Sequence, residues 1–189
     1  MLRLRPYKKC DAKYIVSWLK DEVQFRKWCA DRFEQYPISA EDMNNHYAQF
    51  EDTDELFPMT AYDEDGVVGH LFMWFRDDEK KIVRFGYVVV DDTKRGKGLG
   101  KELLKLAIQY AFEILKVEKI TLGVFENNTF AHRCYQSVGF REIENGAHFY
   151  RIFDEDWKGL ELELLYEDYA EVSHEKSVGN IPKRSQVRR

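Results

Sequence analysis

The chain has 189 residues, 44% of them hydrophobic and 33% charged, with a formal net charge of −5. That length supports one domain with a sizeable buried core. No apolar run nears the roughly 20 residues needed to cross a bilayer, and the acidic balance argues against bulk nucleic-acid binding, which goes with a basic surface. At the N-terminus, "LRLRPY" alternates as a short strand, and the opening stretch carries no apolar segment with a small-residue cleavage site. No signal peptide and a cytoplasmic location are therefore expected. A helical region starts at Asp11, a candidate N-cap, with Ile15, Trp18 and Leu19 on one face. "PISAEDMNNHYAQF" opens another helix, with Ser39 as N-cap and Asp42 at the third helical position.

"LFPMTAYDEDGVVGHLFMWF" reads as two strands about an Asp63–Gly66 turn, and "KIVRFGYVVV" as a third. From Leu99, apolar residues recur at helical spacing in two stripes. One stripe is Leu99, Leu103, Leu106, Tyr110 and Ile114; the other is Leu104, Ile108, Phe112 and Leu115. Together they predict a helix covered on more than one side. "KITLGVF" is a further strand, and Asn128 can cap a short helix through Val138 that ends at Gly139. Two more strands are expected, around Phe140–Phe153 and Gly159–Tyr166. Strands interleaved with helices in this order predict an α/β (α+β) fold, a mixed sheet with helices on its faces. Residues 1–168 form the single domain and 169–189 a polar, basic tail. Cys10, Cys29 and Cys134 lack metal-ligand or redox spacing, so reduced thiols and no metal are expected.

Two stretches carry chemistry. In "RGKGLGK", Arg95–Lys101, three glycines alternate with cations between a strand and a helix. A P-loop would need a Ser or Thr where Glu102 stands. A dinucleotide fingerprint would need a glycine where Lys101 stands. What remains is an unpaired helix start, which suits a phosphate or pyrophosphate, with glycines that let a ligand approach the backbone. A tight turn is the competing reading. In "ENNTFAHRCYQSVGF", Asn128, Ala131 and Tyr135 fall on one helix face. An amide, a small residue and a phenol offer a hydrogen-bond partner, room for a chain and a proton donor. Singly, Asn128 would be an ordinary cap and Tyr135 an ordinary core aromatic.

At these residues the sequence resembles the GNAT superfamily of acetyl-CoA-dependent N-acetyltransferases. That family's Gln/Arg-x-x-Gly-x-Gly/Ala stretch is matched by Arg95, Gly98 and Gly100. Its Asn-x-x-Ala-x-x-x-Tyr pattern and following Gly-Phe are matched by Asn128, Ala131, Tyr135, Gly139 and Phe140. The resemblance spans Val67 to Phe153. It implies a mixed, mostly antiparallel central sheet of about six or seven strands with helices on both faces. It implies acetyl-CoA as acetyl donor, its pyrophosphate held by the backbone of Arg95, Gly96, Lys97, Gly98, Leu99, Gly100 and Lys101. Val88, Val89 and Val90 would pair with the pantetheine arm, helped by Asn128 and Ala131. Tyr135 would protonate the departing thiolate, and the amine would attack the thioester directly, so Cys134 is not expected to be a nucleophile.

The sequence departs from the family at the proton acceptor: Arg84 and Gly123 stand where members carry Glu. Glu126, Glu22, His148 or a water chain are the candidates, Glu126 preferred because it ends the strand leading to Asn128. The acceptor is expected to be a small-molecule amine or a peptide N-terminus, with neither nucleic acid nor membrane as partner. "DEVQFRKWCADRFEQYP" reads as a cleft wall in which Asp21, Glu22, Asp31 and Glu34 could draw a cationic amine. A non-catalytic acetyl-CoA sensor of the same fold and an ATP or NAD module are the alternatives. Aromatics near Phe149–Trp157 leave a homodimer open.

Overall fold

The structure is a computed structural model and describes residues 1–94 and 96–171. The expected Arg95 contact and all but the first three residues of the expected tail lie outside these. The elements run β1 (Arg3–Pro6), α1 (Ala12–Ser17), α2 (Glu22–Cys29), α3 (Ala40–Ala48), β2 (Leu56–Asp63), β3 (Gly66–Phe75) and β4 (Ile82–Val90). Then follow α4 (Leu99–Gln109), β5 (Lys119–Phe125), α5 (Thr129–Gln136), β6 (Arg141–Glu142), β7 (His148–Ile152) and β8 (Glu155–Leu165). The sheet has eight strands in the order β1-β2-β3-β4-β5-β8-β6, with β7 also paired to β8. The added strand comes from the segment after α5, which splits into the two-residue β6 and the β7–β8 hairpin.

Every neighbouring pair is antiparallel except β4–β5, which is parallel because α4 crosses over between them. Two apolar layers sandwich the sheet. On one face Val83, Phe85, Ile120, Leu122 and Leu162 pack against Leu103, Leu104, Ala107 and Phe112 of the α4 region. On the other, Phe72 and Tyr87 pack against Ile15, Phe25, Met43 and Tyr47 of α1–α3. α4 differs from the sequence expectation in its burial. Its buried positions, Leu103, Leu104, Ala107 and Ile108, form one broad stripe, and Ile114 beyond it is 64% exposed. One face of this helix meets the sheet, which is the amphipathic arrangement of a surface helix.

The N-terminal elements follow their local chemistry with one change. Ser39 caps α3 as expected: Asp42 N donates to Ser39 Oγ at 3.1 Å, and Ser39 N to Asp42 Oδ2 at 2.8 Å. Asp21 caps α2, accepting from Gln24 N at 2.8 Å. Asp11 does not cap α1. Its buried carboxylate instead accepts from Lys8 N at 2.9 Å, Arg5 at 2.7 and 2.9 Å and Thr60 Oγ1 at 2.9 Å, tying α1 to β1 and β2. Burial pushes the Asp11 carboxyl up, but these hydrogen bonds outweigh it and hold it below the usual carboxylate range.

A second buried polar group sits on β3. His70 is fully buried, its Nε2 2.6 Å from the Tyr47 hydroxyl, and burial pushes its pKa down to about 3. In the unfolded chain it would titrate near 6.5. Between those values the unfolded chain binds the extra proton, so stability is full above pH 6.5 and falls as the pH drops toward 3. The loss approaches about 1.4 kcal/mol per pH unit for one such group. His46, also held down by burial, adds a smaller slope of the same sign. Urea midpoints measured from pH 7 to pH 5 should therefore fall in the native protein and flatten in His70→Gln. An unchanged slope in that variant would move the effect away from His70.

Candidate functional site

The site begins with a break in β4. Its pairing to β5 runs from Ile82↔Lys119 to Phe85↔Leu122 and then stops. On the β3 side the register slips between His70 and Phe72, so β4 carries an extra residue there. Tyr87 takes up the bulge with φ 53°. Because one residue has been added, Tyr87 joins the α1–α3 core while Val88 packs toward α4. A Cβ at Gly86 would lie 2.1 Å from Phe72 Cζ, so only glycine fits where that ring crosses the strand. Past the bulge, Val88, Val89 and Val90 are half-buried; Val89 and Val90 pair with His70 and Gly69 of β3, and none of the three pairs with β5. Their edge toward β5 offers free backbone groups, as a strand-like ligand arm requires.

The chain then passes to α4 through the glycine loop. Lys94 anchors the loop's approach, its Nζ 3.3 Å from both Asp63 and Asp65 of the β2–β3 turn. Gly96 and Gly98 both have φ 78°, and a Cβ on either would meet nothing within 4 Å. Gly98 stands at the N-cap of α4 and no side chain caps the helix. Glu102 N donates to Gly98 O, so the N–H groups of Leu99, Gly100 and Lys101 before it have no intrahelical acceptor, and Lys97 and Lys101 are exposed beside them. This is a cradle shaped and charged for a phosphate group. α5 packs at the same helix start: a Cβ on Gly100 would lie 3.5 Å from Cys134 Sγ.

On α5, Asn128 holds the N-cap position but makes no capping bond with its side chain. Ala131 is half-buried and Tyr135 buried, its ring 6.2 Å from that of Phe140. Burial, with Cys134 beside it, holds the Tyr135 hydroxyl above the ordinary tyrosine range, so it stays protonated. Cys134 is also raised by burial, opposed by Lys101, the reverse of what an activated nucleophile shows.

On the opposite face, where α1–α3 leave the sheet uncovered, lies a cleft of about 60 Å³. Arg84, Gly123 and Glu161 form its floor, Lys27, Trp28 and Arg32 one wall, and Phe125 and Tyr150 another. Arg84 on β4 reaches across Gly123 on β5 to Glu161 on β8, its two terminal nitrogens 2.5 and 2.9 Å from the two carboxylate oxygens. A Cβ on Gly123 would be 2.6 Å from the guanidinium, so glycine is what admits the pair. Sequence reasoning named Arg84 and Gly123 as departures and missed Glu161, whose only signal was the register that sets it opposite Gly123.

Glu126 stands apart from this floor: it is 61% exposed, bonds Lys158 at 2.9 Å and does not line the cleft. Of the other proton-acceptor candidates, Glu22 pairs with Arg26 at 3.2 Å and His148 is exposed on β7. Among the described residues no cluster of His, Cys, Asp and Glu could hold a metal ion, and no helix is long and apolar enough to cross a membrane.

Comparisons with known proteins agree with this geometry. Residues 18–140 match the model of the Acetyltransferase (GNAT) family. Spermine/spermidine N(1)-acetyltransferase of Bacillus subtilis is 39% identical over 89 residues, 44% of this chain and 59% of that protein. The chain thus matches less than two thirds of that relative's length. Acetyltransferase PseH of Campylobacter jejuni is 26% identical over 157 residues, 80% of this chain and 92% of that protein. The crystal structure of spermidine N-acetyltransferase from Vibrio cholerae in complex with CoA and spermine superposes with a TM-score of 0.76. It is 20% identical and covers 89% of this chain and 98% of its own, a likeness of fold. With its parallel β4–β5 pair parted at a bulge and its glycine loop at the start of α4, the chain belongs to the GNAT acetyltransferase family.

Proposed function

We propose that the protein is an acetyl-CoA-dependent N-acetyltransferase acting on a primary amine. The observation that carries this reading is the continuity of the phosphate cradle at α4, the unpaired edge Val88–Val90 and the gap where β4 leaves β5. Tyr135 belongs to the core on the α4–α5 side of the sheet and the cleft lies on the other, so the gap is where a donor arm and an amine from the cleft would meet. A donor bound by its phosphates at Gly96–Lys101 and paired along Val88–Val90 would deliver its acyl end there, with Asn128 and Ala131 flanking the arm. The acyl group moves by direct attack: the nitrogen–carbon bond forms, the carbon–sulfur bond breaks, and Tyr135 gives its proton to the sulfur.

The amine must lose a proton before it attacks. We assign the orienting carboxylate to Glu161, which lines the cleft and pairs with Arg84, and infer that water in the cleft carries the proton away. Relatives whose names specify spermine and spermidine support an amine acceptor of low molecular weight. The deciding experiment is calorimetric titration with coenzyme A and acetyl-CoA, followed by an amine panel read by thiol release. Binding with turnover supports the reading. Binding without turnover of any amine would make the protein an acetyl-CoA sensor, and no binding would remove the reading altogether.

A further inference from the structure

The cleft is more basic than the rest of the molecule. Three of its charged side chains are cations, Lys27, Arg32 and Arg84, and one is a carboxylate, Glu161, while the whole chain carries a net −5. Arg84 is matched by Glu161. Lys27 and Arg32 are not matched: Lys27 Nζ donates to Asn127 O at 2.9 Å, Arg32 to Cys29 O at 3.4 Å. Neither has a carboxylate partner among the described residues. The Trp28 indole N–H on the same wall is a buried donor without an acceptor. The acids of this segment do not offset them, since none of Asp21, Glu22, Asp31 and Glu34 lines the cleft. Glu126 nearby is already paired with Lys158.

Resting on the acetyltransferase reading above, we propose that the acceptor is an amine that also carries an anionic group, a carboxylate or a phosphate. Its ammonium turns toward Glu161 and its anion toward Lys27 and Arg32. The cleft opens to solvent, so an acceptor whose amine end reaches Glu161 can lay the rest of its length along the wall where these two cations stand. A polyamine, cationic along its length, would set a second positive charge against them, which is repulsion built into the site.

The test compares kcat/KM for matched pairs: a dipeptide against its C-terminal amide, and 2-aminoethyl phosphate against ethanolamine, with spermidine alongside. The anionic member of at least one pair should exceed its neutral partner and spermidine by about tenfold, and the advantage should shrink as salt is raised. The pair that shows the larger preference identifies the anion as carboxylate or phosphate. In Lys27→Glu/Arg32→Glu the preference should vanish and spermidine should gain, with coenzyme A affinity and thermal midpoint unchanged. The single variants should each give part of the shift. Equal or better turnover of spermidine or of the neutral partners overturns the inference while leaving the acetyltransferase reading intact. So does coenzyme A binding with no turnover of an anionic amine. Failure to bind coenzyme A overturns both.

Discussion

Gly98→Asp should weaken coenzyme A binding by about 100-fold, as read by calorimetry, with the fold retained. The N–H groups of a helix start each donate a charge-assisted hydrogen bond to a phosphate, and losing such contacts costs about 1.5–3 kcal/mol. At about 1.4 kcal/mol per tenfold, that is the expected loss. An aspartate at the N-cap of α4 puts a fixed carboxylate where the pyrophosphate would sit and repels it. The fold should tolerate the change: a Cβ there meets nothing within 4 Å, and aspartate adopts the left-handed region, φ 78° here, more readily than most residues. A negative charge at a helix start also recovers some of the backbone cost. Gly98→Asn, of the same shape without the charge, should lose much less, and the difference between the two isolates electrostatics. Native affinity in Gly98→Asp would place the phosphates elsewhere.

Tyr135→Phe should lower kcat by about 100-fold or more, the usual scale of a general acid, with the KM for acetyl-CoA unchanged. Phenylalanine preserves the ring and its edge contact with Phe140 at 6.2 Å, so packing is kept and only the proton donor goes. Burial holds the native hydroxyl above the ordinary tyrosine range. Its proton is therefore present throughout the neutral and mildly alkaline range, and the native rate should not decline there on its account. A phenylalanine variant with full kcat would show that solvent protonates the sulfur.

What could be read from the sequence was what is local in sequence. The Ser39–Asp42 cap, the "KITLGVF" strand and the glycine loop each lie within a few residues, and their spacing states their geometry. α2 was less visible because its buried positions, Phe25 and Cys29, are only two among charged neighbours. Asp11 looked like a cap because its neighbours favour one; its true partners include Thr60, 49 residues away. The bulge at Tyr87 was hidden because "FGYVVV" alternates no differently whether or not a residue is added. Glu161 was hidden for a related reason: it meets Arg84 only after β5 and β8 have taken their register, at a separation of 77 residues.

That last pair also limits how this protein can diverge. Positions 84, 123 and 161 are bound together by that contact, so a change at one is expected to require a change at another. A glutamate at 84 would stand beside Glu161 as a second carboxylate, and any side chain at 123 would push the guanidinium aside. A lineage that acquires an acid at 84 must therefore lose or invert 161 in step. Among descendants of this sequence, the three positions should co-vary even while the glycine loop stays fixed.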